Sequence, residues 1–117
     1  MKRIMVVDDA AFMRMSLKMM LEKNGYQVVG EAENGKVAVQ KAKKLNPDII
    51  TMDITMPEMD GITALKTLKE VGCKSKIIII SALGQESHVR EAMILGANNF
   101  IVKPYKEPHV MEILSKL

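Results

Sequence analysis

The chain has 117 residues, 48% of them hydrophobic, with a formal charge of +3, one Cys and no Trp. That suits a single packed domain over residues 1–117 and is too apolar for a disordered chain. It excludes an intramolecular disulfide, and the dispersed Lys and Arg form no basic stripe with interleaved aromatics for nucleic acid. Cys73, His88 and His109 are too scattered for a zinc site, and both His residues read as helix-face positions. After Lys2-Arg3 only four apolar residues precede Asp8-Asp9, too few for a signal peptide. No apolar run approaches the roughly 18 residues of a membrane span, so a reducing, cytoplasmic setting is expected. With Phe12, Tyr26, Phe100 and Tyr105 as its four aromatics, the chain must build an aliphatic core. Its eleven Met read as adaptable filler, with a Met-lined partner groove as the alternative.

In chain order, Ile4 to Val7 reads as a strand, and Asp8-Asp9 follow it. A helix over Ala10 to Asn24 puts Met13, Leu17, Met20 and Leu21 on one face, and Gly25 stops it. Gln27 to Glu31 is a strand with polar ends, suited to a sheet edge. Asn34 is the N-cap of a helix to Leu45, carrying Ala38 and Ala42 inward and ending at Asn46-Pro47. Ile49 to Met52 is the third strand, followed by Asp53. Gly61 to Val71 aligns Ala64, Leu65 and Leu68 before Gly72. Lys76 to Ile80 is the fourth strand, followed by Ser81, and Gln85 to Leu95 aligns Val89, Ala92 and Met93. Asn99 to Val102 leads into Lys103-Pro104. Glu107 to Leu117 aligns Val110, Ile113, Leu114 and Leu117, with Pro108 in the first turn, where its missing N–H is harmless.

Four of the five strands are nearly all apolar, as strands covered on both faces must be. The expected fold is α/β: a (βα)₅ chain with an open parallel sheet, right-handed crossovers and helices on both faces. Ligands of such sheets bind beyond the strand carboxyl ends. Asp8, Asp9, Asp53, Ser81 and Lys103 all follow predicted strand ends.

Carboxylates gathered within about 5 Å repel by a few kcal/mol at an effective dielectric near 20, so a cation is expected among them. Lys103 offsets one charge, and a hard divalent ion such as Mg²⁺ suits the remaining oxygens. A carboxylate facing that cation can act as a nucleophile toward phosphorus and form an acyl phosphate. Neither G-x-x-x-x-G-K-[ST] nor G-x-G-x-x-G occurs, so a bound nucleotide is not the expected phosphate source. Each residue alone has a blander reading. Asp8-Asp9 could mark a helix start, Asp53 a turn acid, Lys103-Pro104 a surface turn, Ser81 a helix cap and Phe100 plain core. They gain force because one fold collects them.

V-V-D-D at Val6 to Asp9, M-D-I-T-M-P-E-M-D-G at Met52 to Gly61, S-A at Ser81-Ala82 and K-P-Y at Lys103 to Tyr105 resemble response-regulator receiver domains. The likeness spans the chain. D-D-A-A-F-M-R and S-A-L-G-Q are similar to the stand-alone chemotaxis regulators outside the enteric type. The resemblance implies a flavodoxin-like sheet of order 2-1-3-4-5 and makes Asp53 the phosphoacceptor. It implies Asp9, Asp53 and the Thr55 backbone carbonyl as direct Mg²⁺ ligands, with Asp8 acting through water. Lys103 would contact the phosphoryl group, Ser81 would swing toward it, and Phe100 would move inward as the switch aromatic. Lys103-Pro104 would be a cis bond. Three departures from the enteric pattern stand out: Thr55 in place of Asn, Phe100 in place of Tyr, and Ser81 in place of Thr.

The implied function is a phosphoacceptor switch that catalyses only its own phosphorylation and dephosphorylation. A sensor histidine kinase would donate phosphate. The surface of Gln85 to Leu95 and Asn99 to Leu117 would then bind a flagellar motor switch protein. A phosphatase is a further implied partner; a monomer is expected, with no nucleic acid and no membrane. One alternative is a phosphorelay carrier. A receiver cut from a longer transcription factor is a second, disfavoured because no linker or DNA-binding segment follows. A haloacid-dehalogenase-like hydrolase would need D-x-D, and Thr55 stands at the second Asp.

Overall fold

The computed structural model describes residues 2–117. Five strands alternate with five helices: β1 (Arg3–Val7), α1 (Ala11–Lys23), β2 (Gln27–Ala32), α2 (Gly35–Leu45), β3 (Ile49–Asp53), α3 (Gly61–Glu70), β4 (Lys76–Ser81), α4 (Glu86–Ile94), β5 (Asn99–Val102) and α5 (Glu107–Ser115). All neighbouring strands pair parallel, in the order β2-β1-β3-β4-β5. The polar-ended β2 is an edge strand, as its composition requires.

Alternation along each strand feeds two cores. On one side Met5, Val7, Ile50, Met52, Ile77 and Ile79 pack with α2, α3 and α4, notably Ala38, Leu65, Leu68 and Ala92. On the other, Ile4, Val6, Ile78, Ile80 and Ile101 meet Leu17 and Leu21 of α1 and Val110, Ile113 and Leu114 of α5. Burying both faces is why these strands read as unbroken apolar runs.

Helix ends follow local chemistry. Asn34 accepts from the Val37 N–H at 2.9 Å and Asp60 from the Thr63 N–H at 2.7 Å, so each caps its helix. Asn46 closes α2 in the left-handed conformation, φ 46°. Element ends shift by a residue or two from expectation: β1 starts at Arg3, β2 runs on to Ala32, and α1, α3, α4 and α5 are shorter. β3 and β4 each run one residue further, so Asp53 and Ser81 end their strands rather than follow them. Pairing continues because Asp53 still faces Ile80 and the Ile54 N–H still reaches the Ile80 carbonyl at 3.2 Å. Met93 stands 38% exposed, leaving Val89 and Ala92 to anchor α4. Met filler is divided: Met5, Met52 and Met56 are core, while Met15 and Met19 face solvent on α1.

Candidate functional site

The strand carboxyl ends place Asp8 just past β1, Asp53 at the end of β3, Ser81 at the end of β4 and Lys103 just past β5. Because β1 and β3 are neighbours, carboxylate oxygens of Asp8, Asp9 and Asp53 all lie within 4.8 Å of one another. Lys103 reaches across from β5. Its Nζ sits 3.2 Å from Asp8 Oδ2 and 3.3 Å from Asp53 Oδ1. Asp8 and Asp53 are buried, whereas Asp9 is exposed at the rim.

This geometry sets the electrostatics. Burial, then the Asp8 charge, push the Asp53 carboxyl from its ordinary 3.8 up to about 6, against the opposing pull of Lys103. Burial acts to lower the Lys103 ammonium, but Asp53 and Asp8 together outweigh it and hold it above its ordinary value. Burial also raises the Tyr105 phenol beside this cluster. One ammonium therefore does not neutralise three acids. The remaining charge, carried on hard oxygens, fits a divalent cation.

Two features hold the carboxylate end of the crevice. Asp8 Oδ1 accepts from the Ala10 N–H at 2.9 Å, and the Asp8 carbonyl accepts from Arg14 Nη1 at 2.6 Å. Arg14 is itself set by Glu31 of β2, 3.2 Å from its Nε. Behind Asp53 the chain folds back: the Gly61 N–H donates to the Ile54 carbonyl at 2.8 Å. Only Gly fits there, since a Cβ at residue 61 would lie 2.0 Å from the Asp53 carbonyl oxygen.

The other end is looser. Ser81 Oγ is buried and has no hydrogen-bond partner among the described residues. Phe100 is not core: it is 39% exposed on the edge strand β5. It borders a largely apolar groove of about 420 Å³ together with Ser81, Leu83, Val89 and Met93. The Lys103–Pro104 peptide bond is cis. Thr55, in the loop after β3, is exposed, and its hydroxyl accepts from Gln85 Nε2 at 2.9 Å.

The structure thus brings Asp8, Asp9, Asp53 and Lys103 into one crevice, sets Ser81 on the next strand and leaves Phe100 outside. Sequence reading missed Arg14 and Gln85. Arg14 was visible only as a helix residue one turn past Asp8-Asp9. Gln85 reads from sequence as the first residue of a helix, with nothing to mark its side-chain partners.

Residues 4–115 match the family model described as response regulator receiver domain. The chain is 57% identical over 114 residues to the chemotaxis protein CheY of Bacillus subtilis, covering 97% of this chain and 95% of that protein. It is 55% identical over 116 residues to CheY of Thermotoga maritima, covering 99% and 97%. Among solved structures, a CheX-CheY-BeF3-Mg complex from Borrelia burgdorferi superposes with a TM-score of 0.92 at 38% identity, over 98% of this chain and 87% of that one. No helix among the described residues is long and apolar enough to cross a membrane. The chain belongs to the response regulator receiver domain family of two-component systems, among its CheY-like chemotaxis members.

Proposed function

We propose that Asp53 accepts a phosphoryl group from a phosphohistidine of a sensor kinase and that the resulting charge switches the α4-β5-α5 surface. The observation carrying this reading is the Lys103 ammonium shared between Asp8 and Asp53 at 3.2 and 3.3 Å, inside a three-carboxylate crevice. An Asp53 oxygen attacks phosphorus as the donor's N–P bond breaks. The imidazole leaves with the bonding pair and takes a proton from solvent, and water later hydrolyses the acyl phosphate. Asp9, Asp53 and the Thr55 carbonyl would hold Mg²⁺, with Asp8 in support. When bound, the ion supplies positive charge to the phosphoryl oxygens. Lys103, already poised between two acids, can follow the new charge with little movement.

Phosphorylation adds a charge of about −1.5 to −2 and three strong acceptor oxygens. The Ser81 hydroxyl, with no partner among the described residues, is a donor suited to one of them, and its departure would leave more room in the groove that Phe100 borders. The switch is a population shift: Ser81 and Lys103 hold the phosphoryl group better in one of two arrangements. A motor-switch output in chemotaxis is supported over a relay by the CheY relatives that the chain matches along nearly their whole length.

Incubation with Mg²⁺ and a small acyl phosphate, followed by mass spectrometry, tests the chemistry. One base-labile phosphate per chain, lost in Asp53→Asn, is expected; equal labelling of that variant would sink the reading. Binding to a flagellar switch peptide should tighten when a phosphoryl mimic is present. No gain would favour the relay.

A further inference from the structure

The parallel ladder between β3 and β4 stops one bond early. A regular ladder that carries the Ile54 N–H to the Ile80 carbonyl would next carry the Ala82 N–H to the Ile54 carbonyl. That carbonyl is taken by the Gly61 N–H at 2.8 Å. The Ala82 N–H makes no ladder bond and sits at the carboxyl edge, one strand away from Asp53. Gln85 fills it: Oε1 accepts from the Ala82 N–H at 2.7 Å, while Nε2 donates to Thr55 Oγ1 at 2.9 Å. One carboxamide thus ties the loop after β3 to the loop after β4. Gln is suited to this because a single planar group both donates and accepts.

Beside Ala82, the Ser81 hydroxyl is buried with no partner among the described residues. Two donors then stand side by side at the end of β4. One is unfilled, and the other is filled by a neutral acceptor from the same chain. A phosphoryl oxygen makes charge-assisted hydrogen bonds about twice as strong as neutral ones and can displace such an acceptor. We propose that Gln85 is a positioning residue that competes with the phosphoryl group. Its carboxamide oxygen holds the Ala82 N–H in the resting protein and leaves it when Asp53 is phosphorylated, releasing Thr55 as well. Gln85 is also the N-cap position of α4, so its release connects the site directly to the start of that helix. This inference rests on the phosphoacceptor reading of Asp53.

The test is a titration of ¹⁵N-labelled protein with beryllofluoride, a phosphoryl mimic, at saturating Mg²⁺, following the Ala82 amide. Gln85→Ala should bind about 3- to 10-fold more tightly than wild type, the scale of one competing neutral hydrogen bond removed. Its resting Ala82 resonance should already be displaced. Thr55→Val, which frees only the far anchor, should gain about 2-fold. In the wild type, the Gln85 side-chain amide signals should move with the Ala82 signal. A purely structural Gln85 would yield no gain on truncation. Equal or weaker binding by Gln85→Ala, or an Ala82 amide indifferent to beryllofluoride in a wild type that binds it through Asp53, overturns the competition alone. Binding that survives Asp53→Asn, or no binding by the wild type, overturns the phosphoacceptor reading and this inference with it.

Discussion

At the carboxyl ends of β1 and β3 Asp8 and Asp53 are held by hydrogen bonds and a shared ammonium, whereas at those of β4 and β5 the Ser81 hydroxyl lacks a partner among the described residues and the Phe100 ring is 39% exposed. Asp8 is fixed by Ala10, Arg14 and Lys103, and the chain behind Asp53 is closed by Gly61. Ser81 Oγ has no partner among the described residues, and Phe100 flanks a groove rather than filling it. Both ends belong to the same edge of one sheet. The difference teaches where each task sits: a charge site must be rigid before its ligand arrives, while a switch needs an element with two arrangements of similar energy.

The contrast can be broken most severely at Gly61. Gly61→Ala forces a methyl group against the Asp53 carbonyl and should destabilise the protein by about 3 kcal/mol, read as a lower urea midpoint. An unchanged midpoint would mean that the β3 end is not rigid. Next comes Lys103→Met, which leaves Asp8 and Asp53 repelling without their shared cation. Labelling by an acyl phosphate should fall at least ~10-fold, and a ¹³C titration should find the Asp53 carboxyl still further above about 6.

Asp53→Asn tests the electrostatic strain of the rigid end. The native carboxyl titrates near 6 against an ordinary 3.8, so the folded state binds this proton more tightly than the unfolded chain. The resulting stability is present below about pH 4 and is lost as pH rises through about 6. Replacing the acid should therefore stabilise the metal-free protein by ~1–2 kcal/mol at pH 7.5, and the gain should vanish near pH 4. Mg²⁺ should raise the melting temperature of the wild type and not that of the variant.

The looser end should respond in the opposite manner. Ser81→Ala removes a buried hydroxyl that has no partner, so resting stability should stay within ~0.5 kcal/mol or rise slightly, while beryllofluoride affinity falls. Phe100→Ala should cost less than ~1 kcal/mol in chemical denaturation, against ~3–5 for a buried ring. A large loss at either position would erase the distinction between the two ends.

Most of the fold was legible because its signals are local or periodic. Apolar runs located four of the five strands, 3.6-residue spacing located the buried faces of the helices, and Asn34 announced its own cap. The error of one residue at Asp53 and Ser81 arose because both are polar at the end of an apolar run. Pairing with the neighbouring strand, rather than polarity, decides where a strand stops. Met93 departs for a related reason, and the plain-core reading of Phe100 fails with it. Hydrophobicity states that a side chain can be buried, but β5 is an edge and only one side of α4 meets the sheet. Gln85 had no local signal, since its partners are set by a carbonyl that Gly61 takes.

The residue types of the site were determined by the sequence itself: three carboxylates, one ammonium and one hydroxyl, each near the end of an apolar run. Alternation of strands with helices was enough to send them to one edge of a parallel sheet. Only the tertiary structure decided how they divide. Strand order sets the ends of β1 and β3 side by side, so Asp8 and Asp53 share Lys103, and burial together with the Asp8 charge pushes the Asp53 carboxyl to about 6. The close approach of Gly61 ends the ladder and hands the Ala82 N–H to Gln85. Charge interactions and ladder hydrogen bonds depend on distances of a few ångströms between segments remote in sequence, and those distances exist only once the sheet has formed.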